Sequence, residues 1–345
     1  MAVAAALEYA RWAGNHIKGA HDDGGAVPGG FGGMPEVRAL LEWQIAPGNR
    51  TVQALAMVGS RLGLIYWLDR DWLRSKAKDL FDLEGSIGTP PVTEGWAAWN
   101  AFLVWVRPHV DFYRLFRAQF AFAVAQSANV GWADKSREHP MGHLAEHLMV
   151  LYARGDLALD DDNALLRRFL VSAHADTRRY AFTFAGRVLS GESDLPQEFV
   201  DRLRVLWDEY WAGAGKHDAA EKSDSFSFGM WFGSGRFDPE WALSRLAEFV
   251  EVTAVPEPDH EVLKELARLA PAHVGSVLPI LDRMVRGDRE GWRVQMWLDS
   301  ARTILEVAMK AGGDTRERAE RLIDHLGRRG FTDLGGLLEI GRDST

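Results

Sequence analysis

The chain contains no cysteine in its 345 residues. That removes disulfide frameworks, zinc ribbons, thiol nucleophiles and iron–sulfur sites, and the composition suits a reducing compartment. Long apolar runs are also missing: the most apolar stretches, Gly63–Leu68 and Phe120–Ala125, fall far short of the roughly 20 residues that cross a bilayer. Positive charge is in deficit. There are 40 Lys and Arg against 49 Asp and Glu, a formal −9 with histidine neutral, so the chain as a whole repels phosphate backbones. Its most arginine-rich stretch, Asp282–Arg329, has 11 basic and 9 acidic residues, the pattern of a salt-laced helical surface and not of a basic stripe. No nucleic acid partner and no membrane are expected. The segment Ala2–Trp12 lacks the basic opening of a signal peptide and acquires Glu8 and Arg11 early. It reads as a helix, and a cytoplasmic location is the expectation.

Strict period-two alternation is nearly absent as well, which argues against half-buried strands. What is present is apolar residues recurring at i, i+4, i+7 and i+8, the spacing that lines one face of a helix. Phe199, Leu203, Leu206, Trp207, Tyr210 and Trp211 form one such stripe. Others are Ala242, Leu246, Phe249 and Val250; Val262, Leu266, Leu269 and Ala270; Trp297, Ala301, Ile304, Leu305 and Ala308; and Ala319, Leu322, Ile323 and Leu326. Start signals agree: Asp238-Pro239-Glu240 offers a capping carboxylate, a pre-set φ and an acidic first turn ahead of Trp241, and Asp259 and Asp314 can cap in the same way. Gly191, Gly287 and Gly330 each follow a periodic run, where glycine commonly closes a helix.

Runs and breaks together predict roughly 16 helices, with pairs recurring about every 35–45 residues in the C-terminal half. No sequence motif repeats at a fixed period. The fold expected is all-α, an irregular right-handed superhelix of antiparallel helical hairpins resembling a HEAT or armadillo solenoid. Glycine-rich 19–33 reads as a mobile loop, and Leu83–Thr93 and Gly213–Ser225 as connectors. A boundary in Gly131–Pro140 suggests an N-terminal helical subdomain at 1–135 and a C-terminal one at 136–345.

Chemistry-bearing motifs are few. His143-Leu144-Ala145-Glu146-His147 has the H-x-x-E-H order in which two histidines one turn apart hold zinc and the glutamate acts on its water. The helix carrying it has the apolar stripe Met141, Leu144, Leu148 and Leu151, which His143 and His147 flank. Half-exposed histidines on an amphipathic helix are the simpler reading; a metal-dependent hydrolase is the alternative, with no third ligand identified by spacing. Gly215-Lys216 is followed by His217, and Trp211 occupies the place of the first Walker glycine. No G-x-S-x-G elbow occurs; Gly233-Ser234-Gly235 is too short. Asp160-Asp161-Asp162 ahead of Leu165 reads as an acidic helix start. No cofactor is implied by these signatures.

The most unusual segment is Phe226–Phe237, with five aromatic rings and three glycines. Glycine admits close backbone approach and rings offer contact area, a combination found in packed helix crossings and in binding surfaces. Core packing is the simpler reading; the alternative makes Phe228, Trp231, Phe232 and Arg236 contacts for a partner. Trp96, Trp99, Trp105, Trp207, Trp211, Trp292 and Trp297 pose the same question, and those exposed together would mark a partner site.

The string FGMWFGSGRFDPEWAL, with LAEHLMVLYARGDL upstream and GDREGWRVQMWLDSARTIL downstream, resembles the C-terminal helical region of large multidomain bacterial proteins of the STAND NTPase type, several groups of which are associated with defence against phage. The similarity covers most of Pro35–Ile340 in its alternation of motifs. It implies a free-standing or truncated sensor, scaffold or regulatory half, with an NTPase or effector module as its protein partner. It also implies that His147 and the Phe228–Phe237 stretch are structural hallmarks. The absent Walker loop is a departure, so no ATPase activity and no catalytic residue carry over.

Overall fold

The computed structural model describes residues 2–18, 27–83, 93–128, 140–160, 164–191, 194–214, 228–253 and 255–340, and every regular element among them is helical. No helix among the described residues is long and apolar enough to cross a membrane. By its contacts the chain divides into two compact units, Met1–Arg178 and Arg179–Thr345. The cut expected near 135 falls among residues 129–139, outside the described set, as do most of the two connectors.

The first unit holds α1 (Ala2–Lys18), α2 (Pro35–Ile45), α3 (Val52–Ser60), α4 (Leu62–Leu68), α5 (Arg70–Leu80), α6 (Glu94–Trp105), α7 (Val110–Leu115), α8 (Arg117–Gln126), α9 (Pro140–Ala153) and α10 (Leu165–Ser172). Helix α3 packs along α6, α6 against α9, and α8 against α10. The α3–α6 crossing is close because position 59 is glycine: a Cβ there would fall on the Ala98 carbonyl. Below it lies an aromatic core in which Phe81 meets Trp99 edge-on at 5.2 Å and Phe116 at 4.8 Å, and Trp99 meets Phe120 at 5.0 Å. These are the edge-to-face distances that ring quadrupoles favour.

Part of the glycine-rich stretch is fixed, contrary to the expectation of a mobile loop through 33. Residues 19–26 lie outside the described set, but Gly30–Gly33 form a 3-10 turn and Phe31 is fully buried, edge-on to Trp72 at 5.2 Å. The cause is Asp69. One carboxylate oxygen accepts from the Trp72 amide at 2.8 Å and so caps α5, and the other accepts from the Phe31 amide at 3.0 Å. Gly30 has φ +51°, and a Cβ there would stand 2.5 Å from that second oxygen. Only glycine satisfies both the angle and the space.

The division between the units falls within α11 (Ala175–Gly191). The second unit continues with α12 (Gln197–Ala214), α13 (Phe228–Gly233), α14 (Pro239–Thr253), α15 (Asp259–Gly287), α16 (Trp292–Ala311), α17 (Gly313–Arg328) and a 3-10 stretch, Thr332–Glu339. The predicted stripes on α14, α15, α16 and α17 are buried throughout. Asp238 caps α14 as expected, its carboxylate accepting from the Trp241 amide at 2.9 Å. Asp259 and Asp314 do not act this way: α15 begins at Asp259 itself, whose carboxylate takes Arg293 at 3.1 Å, and α17 begins at Gly313 without a side-chain cap. Helix α15 runs past Pro271 with a kink at His273 (φ −130°, ψ 30°), where the proline removes a backbone donor.

Two expectations follow, both read by urea denaturation. Asp69→Ala leaves the Phe31 and Trp72 amides without their acceptor and should cost about 2–4 kcal/mol, combining a lost cap with a buried unpaired donor. Gly59→Ala should cost about 1–3 kcal/mol through overpacking, whereas Gly63→Ala, which meets open space in α4, should be neutral or stabilise by up to about 0.5 kcal/mol.

Candidate functional site

The H-x-x-E-H motif lies on α9, whose Met141, Leu144, Leu148 and Leu151 are buried as the stripe predicts. Of the two histidines, His143 is partly exposed as expected and His147 is not. Residues of α6 and α8 cover a wider face of α9 than the stripe, so His147 is 2% exposed instead of flanking it. Its ring lies 5.4 Å from Phe102 and 6.1 Å from Phe120, and Nε2 stands 3.1 Å from the Leu103 carbonyl. A carbonyl only accepts, so that nitrogen carries the proton and donates. Burial among rings drives the His147 pKa down to about 4, opposed by the Leu103 hydrogen bond. Glu146 accepts or shares a hydrogen bond with His143 Nδ1 at 2.9 Å, and His143 Nε2 is buried without a hydrogen-bond partner. The three side chains do not converge on a common point, since His147 turns its Nε2 to a carbonyl while Glu146 faces His143. Among the described residues no group of three His, Asp or Glu is arranged to hold a metal ion.

The aromatic segment is corrected likewise. Phe228, Trp231 and Phe232 are buried, so they offer no ring to a partner. Phe228 stacks on Trp207 at 4.2 Å, Trp207 stands 5.7 Å from Trp231, and the Trp231 indole donates to the Phe182 carbonyl at 2.8 Å. Arg236 donates from Nε to the Leu189 carbonyl at 2.5 Å, in the last turn of α11. That is a helix-end cap by a cation, favourable for the dipole and for the open carbonyls there. Phe226 lies outside the described residues. Of the tryptophans in question, Trp96, Trp99, Trp207 and Trp297 are buried, while Trp105 and Trp292 are exposed.

One arrangement that faces solvent as a concavity was not anticipated. A cleft of about 460 Å³ in the first unit is lined by Tyr66, Arg70, Arg74, Asp111, Arg114 and Leu115. Tyr66 ends α4, and Asp69 turns the chain at once into α5, setting Arg70 and Arg74 one turn apart beside it. The opposite wall is α7, opened by His109, whose Nδ1 accepts from the Asp111 amide at 3.2 Å. The walls are tied together by the Tyr66 hydroxyl, which donates to Asp111 Oδ2 at 2.6 Å, and by Tyr66 against Phe112 at 5.1 Å. Burial and the Asp111 partner raise the Tyr66 pKa above its ordinary value; the Tyr66 hydrogen bond, with Arg70 and Arg114 nearby, holds Asp111 below the usual carboxylate range.

The arginines are unequal. Arg74 is held by Asp71 at 3.0 Å, on the open surface. Arg70 lies over the Tyr66 ring, 4.7 Å from its centroid, and neither Arg70 nor Arg114 makes an ion pair with a described residue. Such a cleft can bind an anion. The sequence signal was faint: Tyr66, Arg70 and Arg74 recur every four residues, but Asp111 and Arg114 lie 45 and 48 positions beyond Tyr66. Comparison with protein-family models, with curated proteins and with solved structures finds no match.

His147 yields a pH prediction. Its folded pKa of about 4 lies below the ordinary 6.5, so the unfolded chain binds the proton more readily. The contribution is therefore complete above about pH 6.5 and is lost as pH falls toward 4, by up to about 3 kcal/mol. In urea titrations at pH 7, 6 and 5, His147→Gln, which keeps a donor but does not titrate, should lose about one proton of this dependence. An unchanged slope would contradict the assignment.

Proposed function

We propose that the protein is a non-catalytic helical module, a sensor or scaffold that works by binding, with a ligand site in the arginine-lined cleft of its first unit. The observation that carries this reading is that Arg70 and Arg114 line one preformed concavity, neither of them ion-paired with a described residue, over a Tyr66–Asp111 pair that fixes its walls. The frame we propose is an irregular stack of helical hairpins. Its support is that α14 packs on α15, α15 on α16 and α16 on α17, in chain order, within the second unit. The first unit departs from simple hairpin order, because α3 packs on α6 across two intervening helices. In this reading the occupied or empty cleft is what a protein partner, an NTPase or effector module, responds to.

The test compares the full chain with an Arg70→Ser/Arg114→Ser variant in a thermal-shift screen of fractionated small molecules from host cells. A fraction that raises the Tm of the wild type and not of the variant, with its active compound recovered chemically unchanged, is the expected result. Turnover of that compound, or stoichiometric zinc that disappears on His143→Ala together with a hydrolytic activity, would overturn the reading in favour of the metal-dependent alternative.

A further inference from the structure

Resting on the reading of the cleft as a binding site, we infer that its ligand class is a small phosphate monoester whose organic part carries a hydroxyl or amine. Once Asp71 has claimed Arg74, two guanidinium forks remain, Arg70 on α5 and Arg114 on α7, lining one cleft from opposite walls. Each fork presents parallel N–H donors suited to two oxygens of one anion. A phosphate monoester offers three terminal oxygens and a charge of about −1.5 to −2 at pH 7, so it can engage both forks at once. A monocarboxylate has two oxygens and occupies one. Arg70 is pre-positioned on the Tyr66 ring, which lowers the ordering cost of engaging an anion.

Asp111 supplies the second half of the specificity. Its carboxylate is an acceptor only, kept ionised by Tyr66 and by the neighbouring arginines. An anion alone is repelled by it; a ligand that places a hydroxyl or amine beside it gains a hydrogen bond. The charged and titratable groups facing Asp111 are Tyr66 at 2.6 Å, His109 at 3.7 Å, and Arg70 and Arg114. Leu115 adds an apolar patch to the lining, and about 460 Å³ is the size of a small-molecule site and not of a protein groove. A sugar phosphate or a nucleoside monophosphate has the required chemistry. The setting sharpens this. The chain carries −9 overall, so two uncommitted cations in one concavity are a local reversal of its field.

The experiment is isothermal titration of the full chain with inorganic phosphate, ribose 5-phosphate, adenosine monophosphate, ribose, succinate and a phosphoserine peptide. The esters should bind, at least tenfold tighter than ribose or succinate. Arg70→Ser and Arg114→Ser should each weaken the esters tenfold or more, with Arg→Lys restoring part of the loss. Asp111→Asn should weaken the esters several-fold while leaving inorganic phosphate unchanged or improved, a split that general loss of structure does not produce. All these side chains lie at the surface, and circular dichroism and Tm check that each variant is folded. Succinate bound as tightly as the esters, or the peptide bound tenfold better than them, would overturn the ligand class while leaving a binding cleft in place. No ester binding at all would overturn it too, and the host-fraction screen then decides separately whether the cleft binds anything.

Discussion

A single carboxylate sets the geometry on which the candidate site depends. Asp69 stands between α4 and α5 in an extended conformation, and its two oxygens do different work: one closes the N-terminus of α5, the other holds the Phe31 amide. Because the cap is supplied by the linking residue itself, α4 and α5 need no loop between them. Tyr66 in the last turn of one helix therefore stands beside Arg70 and Arg74 in the first turns of the next. The same interaction explains the fixed part of the glycine-rich stretch, since Phe31 can be buried only if its amide has an acceptor. Packing of Phe31 on Trp72 then reinforces the cap that positions it. Local backbone chemistry, core packing and the shape of the cleft are coupled through one side chain.

The residues that carried the most chemical promise in the sequence are spent on structure. His147, Trp231 and Arg236 each donate to a backbone carbonyl, those of Leu103, Phe182 and Leu189. Arg329 does likewise toward Val285 at 2.9 Å, and toward Asp288. A polar group enters these cores by finding an acceptor, because an unpaired donor costs about 1–3 kcal/mol. The indole nitrogens of Trp99, Trp207 and Trp297 lack one and are buried nonetheless. Magnitude decides this: an indole removes on the order of 200 Å² from water, worth about 5 kcal/mol at 25 cal/mol per Å², which exceeds the penalty.

Much of the fold was legible because helices advertise themselves locally. Val262, Leu266 and Ala270 repeat every four residues and are buried for that reason; Asp238-Pro239 announces a start that the Trp241 amide confirms; Gly330, at φ +97°, ends α17 with the Phe331 amide returning to the Leu326 carbonyl. What periodicity lacks is the number of neighbours a helix will have. For α9 the stripe places His147 at a flank, and only the rings of Phe102 on α6 and Phe120 on α8 turn that flank into interior. The Phe228–Phe232 rings pose the same problem, since an aromatic at helical spacing looks alike whether it meets Trp207 or a partner. The cleft was harder still. Its halves lie about 45 positions apart, and the Tyr66–Asp111 hydrogen bond that unites them leaves no mark on either local pattern.

The arginines of this molecule differ in what stands beside them. In a chain with more acids than bases, a guanidinium at the surface readily finds a carboxylate, and many arginines here do. Arg38 pairs with Glu42, Arg245 with Asp208 and Glu248, Arg268 with Glu265, Arg286 with Asp282, Arg293 with Glu257 and Asp259, and Arg316 with Glu320. Exposed pairs of this kind add little stability, a median of about 0–1 kcal/mol, so their frequency reflects the abundance of acids more than any need for them. Against that background, Arg70 and Arg114 share one concavity, with Asp111 near enough to feel both charges and in an ion pair with neither. Asp111, the acid between the two walls, is bound by Tyr66 instead of closing on either fork. An acid that is held back, with cations left open around a concavity, is an arrangement that favours an incoming anion over an internal pair.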